Sequence, residues 1–177
     1  MRIGVDVDGV VYDWEGQARK MLEQKGVILK PSTGWNSIKE GVDPKWWEWL
    51  WSAENAYELF TEGAWIKDAI VCLDALMTAH DVYFVTATPK NARGHRHQRL
   101  LRTFYNSSGL IFVPPGDNKE ELTEAFLDAI VDDKPEVVLK AKCSKRVLFA
   151  QEWNKEFAQT PGIVRCVGWP AVLKELM

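Results

Sequence analysis

Residues 2–13 read RIGVDVDGVVYD, and this stretch decides the architecture. The apolar, β-branched run over residues 3–7 has the pattern of a buried strand, and it stops in carboxylates, so the strand delivers polar groups at its C-terminal end. Alternation along a strand puts Asp6 and Asp8 on the same side, and the bend licensed by Gly9 turns both toward whatever lies above the sheet edge. Two carboxylates this close repel each other. A divalent cation relieves the repulsion, and so does a proton kept by one of them; either arrangement is a catalytic device. The same DxDG run also occurs as a solvated turn, so other parts of the chain must decide between the two.

Working outward, further short apolar runs predict strands over 82–85, 110–113, 129–131, 147–149 and 163–167, with helices over 69–79, 91–105, 119–127, 135–142 and 170–176. Strand and helix alternate, which predicts an α/β fold of Rossmann type: a mainly parallel sheet with helices on both faces. In such sheets ligands gather at the carboxyl ends of the strands. One interval breaks the alternation. Residues 14–65 contain helical pieces over 15–24, 44–51 and 53–60, separated by the turn-rich PSTGWNS and EGVDP segments, and no convincing strand. This predicts a small helical cap inserted after the first strand, with residues 1–13 and 66–177 forming the core domain.

Two more strand ends carry chemistry. The run VYFV ends in Thr86-Ala87-Thr88-Pro89, where a hydroxyl and backbone N–H groups meet ahead of a helix and can bind an oxyanion; an ordinary helix cap has the same look. The run AIV ends in Asp132-Asp133-Lys134, and hard carboxylate oxygens at a strand end suit magnesium. Lys119, upstream of that strand, is a candidate counter-charge for phosphate. His95 and His97 lie two apart, too close to share a helix face, which favours a surface helix over a metal site.

Composition narrows the partners. With 177 residues, 46% hydrophobic and 27% charged, the chain can bury one core of ordinary size. A net charge of -3 lacks the basic footprint of a protein that grips duplex nucleic acid. Cys72, Cys143 and Cys166 form no CxxC or metal spacing and read as buried packing residues with reduced thiols, which fits a cytoplasmic setting. The opening residues bring a basic group and then carboxylates where a signal peptide needs an apolar stretch, and no segment has the pattern of a membrane span. Nine tryptophans are unusual, and five of them fall within residues 35–51.

Taken together, DVDGV at the first strand, Thr86 after the second, a lysine next and a DD pair after the fourth resemble the haloacid dehalogenase (HAD) superfamily over nearly the whole chain. A closer resemblance is to the 5'(3')-deoxyribonucleotidases. Residues 6–16, DVDGVVYDWEG, are similar to that family's opening, with Trp14 where the family has an aromatic residue; residues 51–60, WSAENAYELF, and 148–154, LFAQEWN, are similar to later segments. The sequence departs from that family at Thr88-Pro89, at Lys134 where arginine is usual, and at Ala150 in place of an acid.

The resemblance implies a phosphatase that uses an aspartyl-phosphate. It makes Asp6 the nucleophile and Asp8 the acid that protonates the leaving group and then activates water. It gives Mg2+ to Asp6, the Asp8 carbonyl and Asp133, with Asp132 in support. Thr86, the Ala87 N–H and Lys119 would hold phosphoryl oxygens, and Trp14 would lie beside the substrate. The paired DxD points to phosphoryl transfer, since dehalogenases of this kind use one aspartate. The expected substrate is a nucleoside monophosphate, with a nucleic-acid 3'-phosphate end or a phosphosugar as alternatives. An inactive nucleotide-binding module is disfavoured by the intact motif set, and a homodimer is left open.

Overall fold

The computed structural model describes every residue except 33, 35, 115–118 and 158, so Thr33 and Trp35 of the turn-rich segment lie outside the described residues. Six parallel strands make one sheet: β1 (Arg2–Asp6), β2 (Asp81–Thr86), β3 (Gly109–Phe112), β4 (Ala129–Asp132), β5 (Lys145–Phe149) and β6 (Ile163–Cys166), in the order β3-β2-β1-β4-β5-β6. β1 is central, with Val5 opposite Phe84 of β2 on one side and opposite Val131 of β4 on the other. The chain runs outward through β2 and β3, then returns across β1 to begin β4. That reversal opens a crevice at the carboxyl ends of β1 and β4.

The central strands read as near-continuous apolar runs because both their faces are covered. On one face Ile3, Val5, Val82, Phe84, Ala129, Val131, Val147 and Phe149 form a cluster with α5 (Ala69–Ala79), α9 (Trp169–Leu176) and Leu100 of α6 (Arg93–Thr103). The alternate residues Ile130, Leu148 and Ile163 pack on the other face with Val137 and Val138 of α8 (Pro135–Lys140). The predicted α/β architecture with helices on both faces is what forms. All three cysteines are free and buried, as expected from their spacing. Among the described residues, no helix is long and apolar enough to cross a membrane.

Between β1 and α5 lie α1 (Trp14–Gln24), α2 (Ser37–Gly41), α3 (Pro44–Leu50) and α4 (Ala56–Thr61). Asp13 caps α1 by accepting the Gly16 N–H at 2.9 Å, and Asp43 caps α3, whose first turn carries Pro44 where its missing N–H costs nothing. These helices bury Ala18, Met21, Leu22, Ile38, Leu50, Leu59 and Phe60 in a second cluster, which Ala92 after β2 also joins, with Trp14, Trp46, Trp47, Trp49 and Trp51 packed around it.

Several boundaries differ from the sequence expectation. The helix expected over 119–127 is a 3-10 turn (Lys119–Glu121) followed by the short α7 (Leu122–Ala125), which ends where Phe126 and Leu127 both donate to the Leu122 carbonyl. α2 falls where turns were expected, since five residues are too few to show a helical period. β1 stops at Asp6, one residue early. The Val7 carbonyl accepts the N–H groups of Val11 (2.9 Å) and Tyr12 (2.8 Å), and Gly9 takes φ 82°, so residues 7–12 close into a compact turn. Asp6 and Asp8 are therefore related by that turn and not by the alternation of a strand.

Candidate active site

The turn that follows β1 is held from outside. Trp169 donates its indole N–H to the Val10 carbonyl at 2.8 Å, and Gln151 donates its side-chain amide to the Gly9 carbonyl. Asn154, buried, donates to the carbonyls of Asp133 (2.8 Å) and Phe149 (2.8 Å), tying the end of β5 to the end of β4. The conformation at Gly9 suits glycine, and a Cβ there would sit 2.1 Å from Asp133 Oδ2. The missing side chain is what lets the β1 turn and the Asp133 carboxylate approach.

Asp6, Asp132 and Asp133 converge in the β1/β4 crevice, each offering a carboxylate oxygen within 4.8 Å of the others, and all three are buried. Lys119 reaches in from beside β4 and pairs with Asp6 Oδ1 at 2.6 Å and Asp132 Oδ2 at 3.2 Å. The Val7 N–H also donates to Asp6 Oδ1 (2.7 Å), and the Lys134 N–H donates to Asp132 Oδ1 (2.9 Å). Both oxygens of Asp133 are buried with no hydrogen-bond partner among the described residues.

The electrostatics follow from that crowding. Burial pushes the Asp132 carboxyl up to about 7, with Lys119 pulling it down and Asp6 pushing it further up. Burial also raises Asp133 well above the usual carboxylate range, reinforced by Asp6 and then Asp132. Burial works against the Lys119 ammonium, but the neighbouring carboxylates Asp132 and Asp6 outweigh it and hold the group above an ordinary lysine. One ammonium cannot balance three ionised carboxylates, so the pocket takes up either protons or a cation. Unpartnered, buried carboxylate oxygens are what a hard divalent cation needs, so these residues fit a metal ion of the magnesium type.

Thr86 is fully buried at the end of β2, next to β1, and its hydroxyl shares a hydrogen bond with Thr88 at 2.9 Å. Ala87 between them is exposed. Trp14 opens α1 half-buried, its ring 5.6 Å from Trp51 and 6.4 Å from Trp47, and Trp51 lies 5.9 Å from Phe60. Trp14 is thus one member of an aromatic cluster among the helices that follow β1.

Asp8 has a partner that the sequence did not reveal. Arg96, in the centre of the GHRHQR run of α6, is fully buried and donates Nη2 to Asp8 Oδ1. Loss of hydration raises the Asp8 carboxyl and Arg96 pulls it down. The histidines beside it behave as expected of a surface helix: His97 is exposed, and His95 packs edge-on to Tyr57 at 5.4 Å. A usable signal was present, since Arg96 precedes Leu100 and Phe104 at intervals of four and so continues the apolar face of α6 into the core. Asn154 and Gln151 carry no sequence signal of their own beyond the resembling segment 148–154.

The six-stranded parallel sheet with its helices has the fold found in solved HAD-like hydrolases. No family model matches the chain, and no curated protein matches it in sequence. Among solved structures, it is similar to a haloacid dehalogenase-like family hydrolase from Streptococcus pneumoniae (14% identity, TM-score 0.62, covering 99% of this chain and 98% of that one). It is also similar to YfnB from Bacillus subtilis, described as a HAD-hydrolase bound to magnesium (16%, 0.65, 99% and 97%). A third similar structure, from Thermotoga maritima, is described as a beta-phosphoglucomutase (18%, 0.60, 98% and 96%). At these identities the fold is what is shared.

Proposed function

We propose that this chain is a magnesium-dependent phosphatase that hydrolyses a phosphomonoester through an aspartyl-phosphate on Asp6. The observation that carries the reading is the buried convergence of Asp6, Asp132 and Asp133 on Lys119 at the point where the strand order reverses. The Val7 N–H and Lys119 both bind Asp6 Oδ1, and neither contact uses Oδ2, the oxygen we assign to the attack on phosphorus. As the bond from Asp6 to phosphorus forms, the ester bond breaks and the leaving oxygen takes a proton from Asp8. Water then attacks the phosphorus of the aspartyl-phosphate and gives a proton to Asp8 as the bond from phosphorus to Asp6 breaks, which frees the Asp6 carboxylate and inorganic phosphate. Dividing the hydrolysis into two displacements makes each easier. Thr86, the Ala87 N–H and Lys119 are assigned to the remaining phosphoryl oxygens.

Asp6, Asp133 and the Asp8 carbonyl would hold Mg2+, with Asp132 in support. The ion would offset the repulsion between Asp6 and an incoming phosphate and stabilise charge in the transition state. The helices of residues 14–65 serve as the cap that chooses the substrate. Trp14 and its aromatic neighbours support a nucleoside monophosphate, because a base stacked on such a ring gains about 1 to 3 kcal/mol.

Phosphate released from a panel of nucleoside 5'- and 3'-monophosphates and sugar phosphates, with magnesium and after EDTA, tests the reading. Turnover that needs magnesium and vanishes in Asp6→Asn is expected. An Asp6→Asn chain that keeps more than about a tenth of wild-type turnover would remove Asp6 as the nucleophile.

A further inference from the structure

Arg96 is a residue that stability alone does not account for. Its side chain is fully buried, with the guanidinium carbon 4.4 Å from the Tyr12 ring centre and 4.9 Å from that of Phe60. Its Nε and Nη1 are buried with no hydrogen-bond partner among the described residues. A buried charge that leaves donors unused is costly, and a methionine of similar length would fill the slot between two rings without that cost. An arginine supplies two things that an apolar side chain cannot, its charge over the Tyr12 and Phe60 rings and the Nη2 hydrogen bond to Asp8 Oδ1, and only the second reaches the site. The slot itself is fixed: the Tyr12 hydroxyl donates to the Leu59 carbonyl (3.0 Å) and accepts the Gly63 N–H (2.6 Å). The clamp on Asp8 is thus assembled from the turn after β1, from α4 and from α6.

We infer that Arg96 is a positioning residue for Asp8, holding the carboxyl by Oδ1 so that Oδ2 is presented to the leaving oxygen. This rests on the phosphatase reading of Asp6 and Asp8. Asp8 sits at the lip of the turn with its side chain about a third exposed, at 32%, where a carboxyl held by nothing else turns about two torsions. Proton transfer needs the acid within hydrogen-bond reach of the ester oxygen, so fixing one oxygen aims the other. In the first displacement the ester P–O bond breaks and the Oδ2 proton passes to the departing oxygen. In the second, water gives a proton to the same Oδ2. Arg96 keeps its own protons throughout and acts only through Asp8.

The test compares Arg96→Met and Arg96→Lys with wild type in single-turnover phosphorylation, with magnesium. The two substrates are para-nitrophenyl phosphate, whose leaving group needs no proton, and whichever alkyl phosphate of the panel above is hydrolysed fastest. The alkyl phosphate should lose about 100-fold in Arg96→Met, and the nitrophenyl ester less than about 5-fold. In an Asp8→Asn background the same substitution should cost nothing further, because its route to the reaction is already removed. Equal losses on both substrates, or a full additional loss on top of Asp8→Asn, would overturn the inference. Should Arg96→Met lack the wild-type circular dichroism spectrum, Arg96→Lys carries the test, since it keeps the stem and the charge; an uneven loss supports the inference and an even one overturns it. A wild-type chain inactive on every substrate refutes the phosphatase reading before any variant is compared, whereas an active wild type with even losses refutes the role of Arg96 alone.

Discussion

Replacing Asp133 with asparagine should make the metal-free protein more stable while abolishing its response to magnesium. Asp133 brings a carboxylate whose oxygens have no hydrogen-bond partner among the described residues to within 4.8 Å of both Asp6 and Asp132. At an effective dielectric constant of about 20, a pair of unit charges at that separation repels by about 3.5 kcal/mol. Lys119 offsets part of this, and protonation relieves more, so the net gain at pH 8 should be about 2 to 4 kcal/mol. For a chain of this length that corresponds to a rise in Tm of about 4 to 16 °C. At pH 5 the gain should shrink, because the Asp132 carboxyl, pushed up to about 7, already holds a proton there, and burial raises Asp133 in the same direction. Thermal melts in EDTA and in excess magnesium, at both pH values, measure this. Wild type should gain Tm with magnesium, more at pH 8 than at pH 5, and Asp133→Asn should gain little at either. A variant less stable than wild type in EDTA at pH 8, or one with an undiminished magnesium shift, would refute the account of Asp133 as a strained metal ligand.

The metal-free wild type carries a related pH dependence. The folded Asp132 carboxyl, at about 7 against 3.8 in the unfolded chain, keeps a proton that the unfolded chain releases, so this group's contribution is full below about 4 and is lost as the pH rises to about 7. Melts in EDTA should therefore show Tm falling across that window, and a Tm that climbs steadily through it would contradict the burial of Asp132. Gly9→Ala must move Asp133, since its Cβ would lie 2.1 Å from Oδ2 in a backbone region alanine disfavours; turnover should fall about 100-fold, and an unchanged kcat would show that the contact yields cheaply. Trp14→Ala should raise KM for a nucleoside monophosphate about 10-fold with a smaller effect on kcat, and leave acetyl phosphate hydrolysis nearly unchanged. Equal effects on both substrates would place Trp14 in the packing of its aromatic cluster instead of in recognition.

Much of the architecture was legible because it rests on local patterns. Apolar runs of strand length ending in carboxylates or hydroxyls, spaced by helical stretches, imply parallel strands whose carboxyl ends share one edge, and β1, β2 and β4 bring Asp6, Thr86 and Asp132 to that edge. Element boundaries were less legible where tertiary contacts override propensity. Residues 119–127 break into two short pieces, and Val7 leaves the strand because its carbonyl closes a turn that Trp169 and Gln151 hold from across the sheet. The inward turn of Arg96 is not plainly legible in the sequence because a run of arginine and histidine on a helix has the charge pattern of a solvated surface. Whether one arginine turns inward depends on what lies opposite it, and Asp8, Tyr12 and Phe60 are distant in sequence.

By itself the sequence determined the class of fold and the residue types available for chemistry, since periodicity of two or 3.6 residues and the position of a carboxylate after an apolar run are properties of adjacent residues. Which carboxylates crowd and which charges find partners depends on how the elements pack. Strand order placed β4 beside β1, and so brought Asp132 and Asp133 to Asp6, and Lys119 to Asp6 and Asp132. Strand order, the closure of a turn by Gly9 and the burial of Arg96 against Asp8 are outcomes of packing between elements far apart in the chain, where the energy of a charge is set by its surroundings and not by its neighbours in sequence.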